Sequence, residues 1–285
     1  MMFQPIKSLL YLSFLSLVSF SSQPSLGKSV EQTVSETGVL KVGVRQDSPL
    51  FGYGENPSGY CVDFAQKLTT LLTEKLNKPI NLELIPSTTQ TRWKLVKDKT
   101  VHLECGPNTI NEEREADYGI KFSRPFFVTA TQIFTQLSTT EETVKQGNIG
   151  VINNTTNEQD IRQIYPPQQV NNTFANRTQG IQAVQAGLIQ GFASDGILLM
   201  GTTLGLKMNP TSYNIVTPYN KERPFCATYG MILPPEQENE SWRSFVNQII
   251  AKSGKGEAVW DEWFLPFFPY LSNVLQGCQS DNQKK

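Results

Sequence analysis

One histidine in 285 residues, no Cys-x-x-Cys pair, no glycine-rich phosphate loop and no Gly-x-Ser-x-Gly turn leave several common chemistries without their parts. A structural or catalytic zinc needs nitrogen or thiolate ligands that converge, and His102 with the scattered Cys61, Cys105, Cys226 and Cys278 offers no such set. A Ser/His/Asp triad would have to use His102, which sits inside the alternating run TVHLE and reads as a structural or solvent-facing residue. No metal, no cofactor and no catalytic constellation is therefore expected. A charge excess is missing too: 25 basic residues stand against 26 acidic ones. A nucleic-acid binder is usually far more basic, so no nucleic-acid partner is expected.

Long apolar runs are also scarce. The one at the start, residues 9–20, is about 12 residues long, too short to cross roughly 30 Å of hydrocarbon. Lys7 is the only charge ahead of it, and the small residues Ser25 and Gly27 flank Leu26 before Lys28. A charged start, a short apolar centre and a small-residue exit read as a secretory signal peptide over residues 1–27, with no cysteine placed for a lipid anchor. Without that segment, 24 basic residues face 26 acidic ones. Four cysteines in an exported chain permit two disulfides, with three pairings open. Asn-x-Ser/Thr triplets, as at Asn176, are too common by chance to carry weight.

The rest has an ordinary globular composition, 38% hydrophobic and 10% aromatic. From Gly38 strands and helices alternate. VLKVGV is a β-branched run. In GYCVDFAQKLTTLLTEKLN, Phe64, Leu68, Leu71, Leu72 and Leu76 recur at helical spacing. NLELIP alternates as a strand, TTQTRWKLVKDK offers a helix, and TVHLECG a third strand. A second unit repeats the pattern in NIGVINN, TTNEQDIRQIY, TQGIQAVQAGLIQ with Ile181, Val184 and Leu188 inward, GFASD and GILLMGTT. Such alternation predicts parallel βαβ units with ligands at the carboxyl ends of the strands. The β-rich stretches FVTATQIFTQ and ATYGMILPP join the units, which predicts two lobes hinged on two crossings. A helix ESWRSFVNQIIAKS follows, with Trp242, Phe245, Ile249 and Ile250 on one side.

Arginines fall after the strand ends: Arg45, Arg92, Arg114 and Arg177. A single one reads as surface solvation, but several at a ligand edge point to bidentate recognition of carboxylates. Asp195, ending GFASD, could complement them at an ammonium group.

The segments VLKVGVRQDSPLFGY, GYCVDFAQKL, ECGPNTINEER, FSRPFF, AGLIQGFASD, YGMIL and GEAVWDEWF, in this order, resemble the periplasmic amino-acid-binding proteins of ABC importers. The similarity runs over residues 38–264 and is greatest to the glutamate/aspartate-type branch, with the ligand-binding cores of ionotropic glutamate receptors as more distant relatives. It implies an α/β, two-lobed periplasmic-binding-protein (Venus-flytrap) fold. Residues 38–128 would form the first part of lobe one, 129–228 lobe two, 229–272 the return to lobe one with C-terminal helices, and 273–285 a tail. It also implies a monomeric, periplasmic or secreted protein, not an enzyme, that hands an amino acid to a membrane permease.

By the same resemblance, Thr109 and Arg114 would hold the ligand's α-carboxylate, while the Pro107 carbonyl and Asp195 would meet its ammonium. Arg45, Thr89 and Arg92 would meet a side-chain carboxylate. The usual Ser-Gly-Thr-Thr turn of lobe two reads Asn153, Asn154, Thr155, Thr156 here, with Asn able to supply the left-handed conformation. Arg177 falls where that branch has a histidine. Phe51 and Tyr53 lie where an aromatic contacts ligand, though either could equally pack in a core. Glu112, Glu113 and Glu115 read as a solvated helix start. Cys226 and Cys278 would pair as in the glutamate receptors, while Cys61 and Cys105 could pair or remain buried thiols. Two other classes share the fold. A cyclohexadienyl- or arogenate-type dehydratase would need a cleft acid, for which Glu104 is nearest although its strand position points it away; a ligand-sensing module is the other.

Overall fold

The computed structural model describes Met1, residues 27–254 and residues 257–279. The expected signal peptide lies almost wholly outside the described residues, and so does the end of the tail, residues 280–285.

Two large sheets carry most of the described strands, beside two short two-stranded ribbons. In the first, the strand Val39–Arg45 lies between Asn81–Ser87 and Leu103–Cys105, all parallel, and Ile232–Leu233 and Lys121–Phe122 complete the edge in antiparallel pairing. In the second, Gly191–Asp195, Ile149–Ile152 and Val170–Phe174 run parallel, Phe127–Gln136 lies antiparallel beside Gly191–Asp195, and Tyr213–Val216 pairs antiparallel with the outer side of Phe127–Gln136. Parallel neighbours need a crossover, and the intervening helices supply it.

The strand Phe127–Gln136 is the physical bridge. Phe127 sits in the core of the first lobe, whereas Ile133 and Phe134 point to opposite faces of the second sheet and enter separate clusters. That division follows from the two-residue period of a strand. The returning strand Cys226–Tyr229 pairs antiparallel with its first part, from Phe127 to Ala130. Two adjacent crossings therefore connect the sheets, as the sequence predicts.

The helix Tyr60–Leu76 buries Tyr60, Phe64, Ala65, Leu68 and Leu72 on one face and stops at Asn77, which takes the left-handed conformation. Its counterpart in the second lobe, Arg177–Gln185, buries Ile181 and Val184 as expected. Leu188 is different: it is 73% exposed, because the helix has ended and Gly187 at φ +71° turns the chain outward. A helix over Val30–Thr37, opened by a Ser29–Gln32 capping box, is an addition to the sequence reading, and a helix over Phe268–Gln279 takes in residues 273–279 that the sequence reading placed in the tail.

Both disulfides form. Cys226–Cys278 ties the returning strand to the last helix, as expected. Cys61–Cys105 resolves the open alternative and links the start of the helix Tyr60–Leu76 to the end of a central strand. Among the described residues no helix is long and apolar enough to cross a membrane.

Candidate functional site

Strand register sets the lobe-one edge. Arg45 is paired with Ser87 and Val44 with Cys105, so three parallel strands end side by side. Side chains leaving that edge are Arg45, Ser87 and the loop residues after Cys105. All of Arg45 is buried. Its Nε donates to Asp47 Oδ1 at 2.9 Å, and its Nη2 lies 2.7 Å from the same oxygen. Thr89 completes the clamp: its N–H and hydroxyl both donate to Asp47 Oδ2 at 2.9 Å, and its oxygen accepts from Arg45 Nη2. Burial pushes the Asp47 carboxyl up, but Arg45, Arg177 and the Thr89 bonds outweigh it and hold the group well below the usual range.

Behind this clamp lies Glu104, fully buried and directed into the site rather than away from it as its strand position implied. Its oxygens accept from Ser87 Oγ at 2.7 Å and from Asn108 Nδ2 at 2.6 Å. Asn108 in turn accepts from Arg92 Nη1 at 2.9 Å, and the Pro107 carbonyl accepts from the same nitrogen at 3.4 Å. Burial raises Glu104, partly offset by Arg45, Ser87, Arg92 and Asn108. Arg92 is pulled the other way, well below the ordinary guanidinium, by burial and by repulsion from Arg45 and Arg114. Nη1 of Arg45 and Nε of Arg92 are buried and make no hydrogen bond.

Gly106 makes this arrangement possible. A Cβ there would come within 2.4 Å of Arg45 Cγ and 3.1 Å of Glu104 Oε1. Gly106→Ala is accordingly expected to push Arg45 aside and weaken ligand binding by about tenfold, equivalent to about 1.4 kcal/mol; calorimetry with unchanged affinity would refute the packing argument.

The loop then turns into the helix Glu112–Tyr118, capped by Asn111, whose side chain accepts from Arg114 N. The guanidinium of Arg114 extends toward lobe two, with long 3.5 Å bonds to the carbonyls of Thr109 and Asn154. Arg92 and Arg114 both lie over the Trp93 ring, at 4.3 and 5.4 Å from its centroid. Glu112 and Glu113 are exposed as expected of a helix start. Glu115 does more: it accepts from Phe122 N at 2.8 Å and pairs with Lys121 at 2.7 Å, fastening an edge strand.

Lobe two presents the turn of residues 153–156. Asn154 takes φ +60°, the left-handed conformation the sequence requires of it. Thr155 caps the helix Thr156–Arg162 by accepting from Glu158 N. Thr156 Oγ1 lies 3.2 Å from Thr109 Oγ1 across the cleft. At the end of the strand Gly191–Asp195, Asp195 is buried and accepts from Asn157 at 3.4 Å. Asn157 continues to Thr131, whose hydroxyl donates to Asp160 at 2.6 Å. Burial raises Asp195, and burial with the Asp195 charge pushes Asp160 up to about 6. Arg177 Nε donates to Ser194 Oγ at 2.9 Å, and its Nη1 reaches the Asp47 carbonyl of lobe one at 3.3 Å. The lobes are thus closed on one another through Thr109–Thr156, Arg114–Asn154 and Asp47–Arg177.

Of the residues read from sequence, Arg45, Thr89, Arg92, Pro107, Thr109, Arg114, Thr155, Thr156, Arg177 and Asp195 converge on this cleft. Phe51 does not. It is fully buried, with its ring 5.2–5.5 Å from those of Phe127, Tyr229 and Phe264, which is the core-packing alternative. Tyr53 is 49% exposed and lines, with Asp47 and Arg177, a cavity of about 380 Å³ at the cleft mouth. Sequence reasoning missed Asp47, Asn108 and Asn157. Asp47 left a trace, an acid two residues beyond a strand-end arginine. His102 is structural: its Nδ1 accepts from Lys41 N at 3.0 Å.

Such a cleft can hold a small zwitterion, with guanidinium groups for carboxylates and buried carboxylates for an ammonium. The glutamate/aspartate import solute-binding protein of Escherichia coli K12 is 28% identical over 255 residues, covering 85% of this chain and 81% of that protein. The glutamine-binding protein of Geobacillus stearothermophilus is 26% identical over 228 residues, covering 77% and 81%. In fold, the crystal structure of an ancestral amino acid-binding protein, a precursor of cyclohexadienyl dehydratase, superposes with a TM-score of 0.67 at 17% identity, over 84% of this chain and 99% of that one. These likenesses place the two sheets in the two-lobed fold of amino-acid-binding proteins. The profile of the bacterial extracellular solute-binding proteins, family 3, matches residues 40–265, and the chain belongs to that family.

Proposed function

We propose that this protein is the extracytoplasmic substrate-binding component of an ABC-type importer, exported by its N-terminal segment and acting as a monomer. It captures a polar or acidic L-amino acid between the lobes, glutamate or aspartate being favoured, and delivers it to a membrane permease. The observation that carries this reading is the set Arg45, Arg92, Arg114 and Arg177, buried around one inter-lobe cleft that also contains Asp195.

Arg114 and Thr109 take the α-carboxylate, and Asp195 with the Pro107 carbonyl takes the ammonium. Thr156, facing Thr109, adds a hydroxyl from lobe two, and Thr155 holds that turn in shape through its cap. The remaining guanidinium groups leave a positive surplus at the side-chain end, which favours an acid there. Ligand bound to lobe one stabilises closure because only the closed form adds the contacts of Asp195, Thr156 and Arg177. Charge-assisted bonds contribute about 1.5–3 kcal/mol each, and micromolar affinity needs about 8 kcal/mol, so a handful suffices. The dehydratase alternative requires a general acid free to deliver its proton, and both oxygens of Glu104 are engaged by Ser87 and Asn108.

A thermal-shift screen of the common amino acids, followed by calorimetry, tests the reading. Stabilisation by glutamate or aspartate supports it, and no response to any amino acid overturns it. Arg92→Ala separates the two ends of the ligand. Glutamate affinity should fall on the order of 10- to 100-fold and glutamine affinity several-fold less, since the charged side chain loses more at that position; equal losses would remove the acid preference from the proposal.

A further inference from the structure

The clamp expected to receive a ligand's side-chain acid already holds one. Asp47 Oδ1 is taken by Arg45, and Oδ2 by both donors of Thr89. Ser48 Oγ adds a 3.0 Å bond to Oδ1. The arrangement is geometrically complete, with each oxygen accepting at least two bonds, so Asp47 is not positioned to turn away and admit another carboxylate. It also faces the second lobe: Arg177 donates to its backbone carbonyl at 3.3 Å, and the carboxylate acts electrostatically on that guanidinium. Asp47 therefore touches both lobes of the closed cleft, with its carboxylate in the Arg45–Thr89 clamp that the family resemblance assigns to the acid of a dicarboxylate ligand.

The charge balance gives the consequence. A bound zwitterion matches its own charges to Arg114 and Asp195, which leaves Arg45, Arg92 and Arg177 around the side-chain end. Against these stand Asp47, and Glu104 to the extent that it is ionised. With Asp47 present the cationic surplus is reduced by a full charge, in a buried region where one charge weighs far more than it does in water. An acidic side chain gains less over its neutral amide than the count of arginines alone implies.

We propose that Asp47 is the specificity-determining residue of this cleft, an in-built carboxylate seated between Arg45 and Thr89 that lets acidic amino acids and their amides compete on similar terms. This inference rests on the amino-acid-binding reading above and narrows its ligand class to a matched acid and amide pair.

The test is calorimetry of the full chain with L-glutamate, L-glutamine, L-aspartate and L-asparagine. In the wild-type protein the preference for the acid of the better-bound pair should be within about tenfold of its amide, a difference of about 1.4 kcal/mol. Asp47→Asn keeps the shape and removes the charge, and should raise that acid-to-amide ratio at least about tenfold, the same energy again. Since Asp47→Asn leaves Arg45 buried without its partner, the double variant Asp47→Asn with Arg45→Gln serves as a second arm. It removes one charge of each sign, and its ratio should stay near the wild-type value. A wild-type preference above about a hundredfold, or about 2.7 kcal/mol, overturns the inference with no variant needed. An unmoved ratio in Asp47→Asn overturns it while leaving amino-acid binding intact, whereas a wild-type protein that binds none of these ligands overturns both.

Discussion

Arg114→Ala should abolish measurable amino-acid binding while leaving the melting temperature close to that of the wild type. Truncating one partner of a buried, charge-assisted pair costs about 2–5 kcal/mol, and the partner proposed here is a carboxylate shared by every amino acid. An affinity loss on the order of 10³-fold follows, whichever side chain the ligand carries. The fold loses little. Apart from its ring contact with Trp93, the guanidinium makes two hydrogen bonds to carbonyl oxygens, both at the long limit of 3.5 Å. The helix cap uses the Arg114 backbone N–H, which alanine keeps, and alanine is the better helix former. Arg114→Lys should fall between the two, because a lysine retains the charge but not the planar two-point grip. Titration calorimetry beside thermal unfolding decides the matter: unchanged affinity in Arg114→Ala removes the pocket assignment, and a large drop in melting temperature would make the arginine a fold element.

Much of this was legible in the sequence because it depends on local rules. The alternation in NLELIP and the 3.6-residue period in the helix after Gly59 are properties of the chain itself, and the parallel topology follows from the succession of strands and helices. The strand-end arginines were legible for the same reason. What escaped depends on register. Glu104 pairs with Gly43 on the neighbouring strand, and a Cβ on Gly43 would lie 2.9 Å from Glu104 Cγ. That missing side chain is what leaves room for Glu104 inside, and no periodicity in TVHLE reveals it. Asp47 needed the same kind of information, since its partners Arg45 and Thr89 are brought together only when their strands align. Phe51 went to the core because Leu50 adopts φ +72° and the chain turns back, with Phe51 N bonded to Ser48 O. A left-handed leucine has no sequence signal, as its residue type seldom adopts that conformation.

Asp195→Asn should lower affinity on the order of 10²-fold at neutral pH and flatten its pH dependence. In the ligand-free cleft burial raises the Asp195 carboxyl, with Tyr229, Arg177, Asn157 and Arg114 opposing the rise. Asp160, linked through Thr131 and Asn157, sits at about 6. A carboxyl whose folded value lies above its unfolded value stabilises the fold most in acid, and that contribution is lost as pH rises through the folded value. An incoming ammonium favours the ionised form, so binding expels a proton wherever the free carboxyl still holds one. Affinity in the wild type should therefore fall as the pH drops and the Asp195 carboxyl takes up its proton, and the melting-temperature gain from ligand should grow in the opposite direction. The asparagine variant has no proton to release at this position and retains only what Asp160 contributes. Calorimetry at a series of pH values below neutral, in two buffers of different ionisation heat, reads the difference directly. Proton release in the wild type that shrinks in Asp195→Asn assigns the ammonium partner to Asp195. Equal release in both proteins would transfer that role to Asp160, the other carboxylate with a raised value on this chain of bonds.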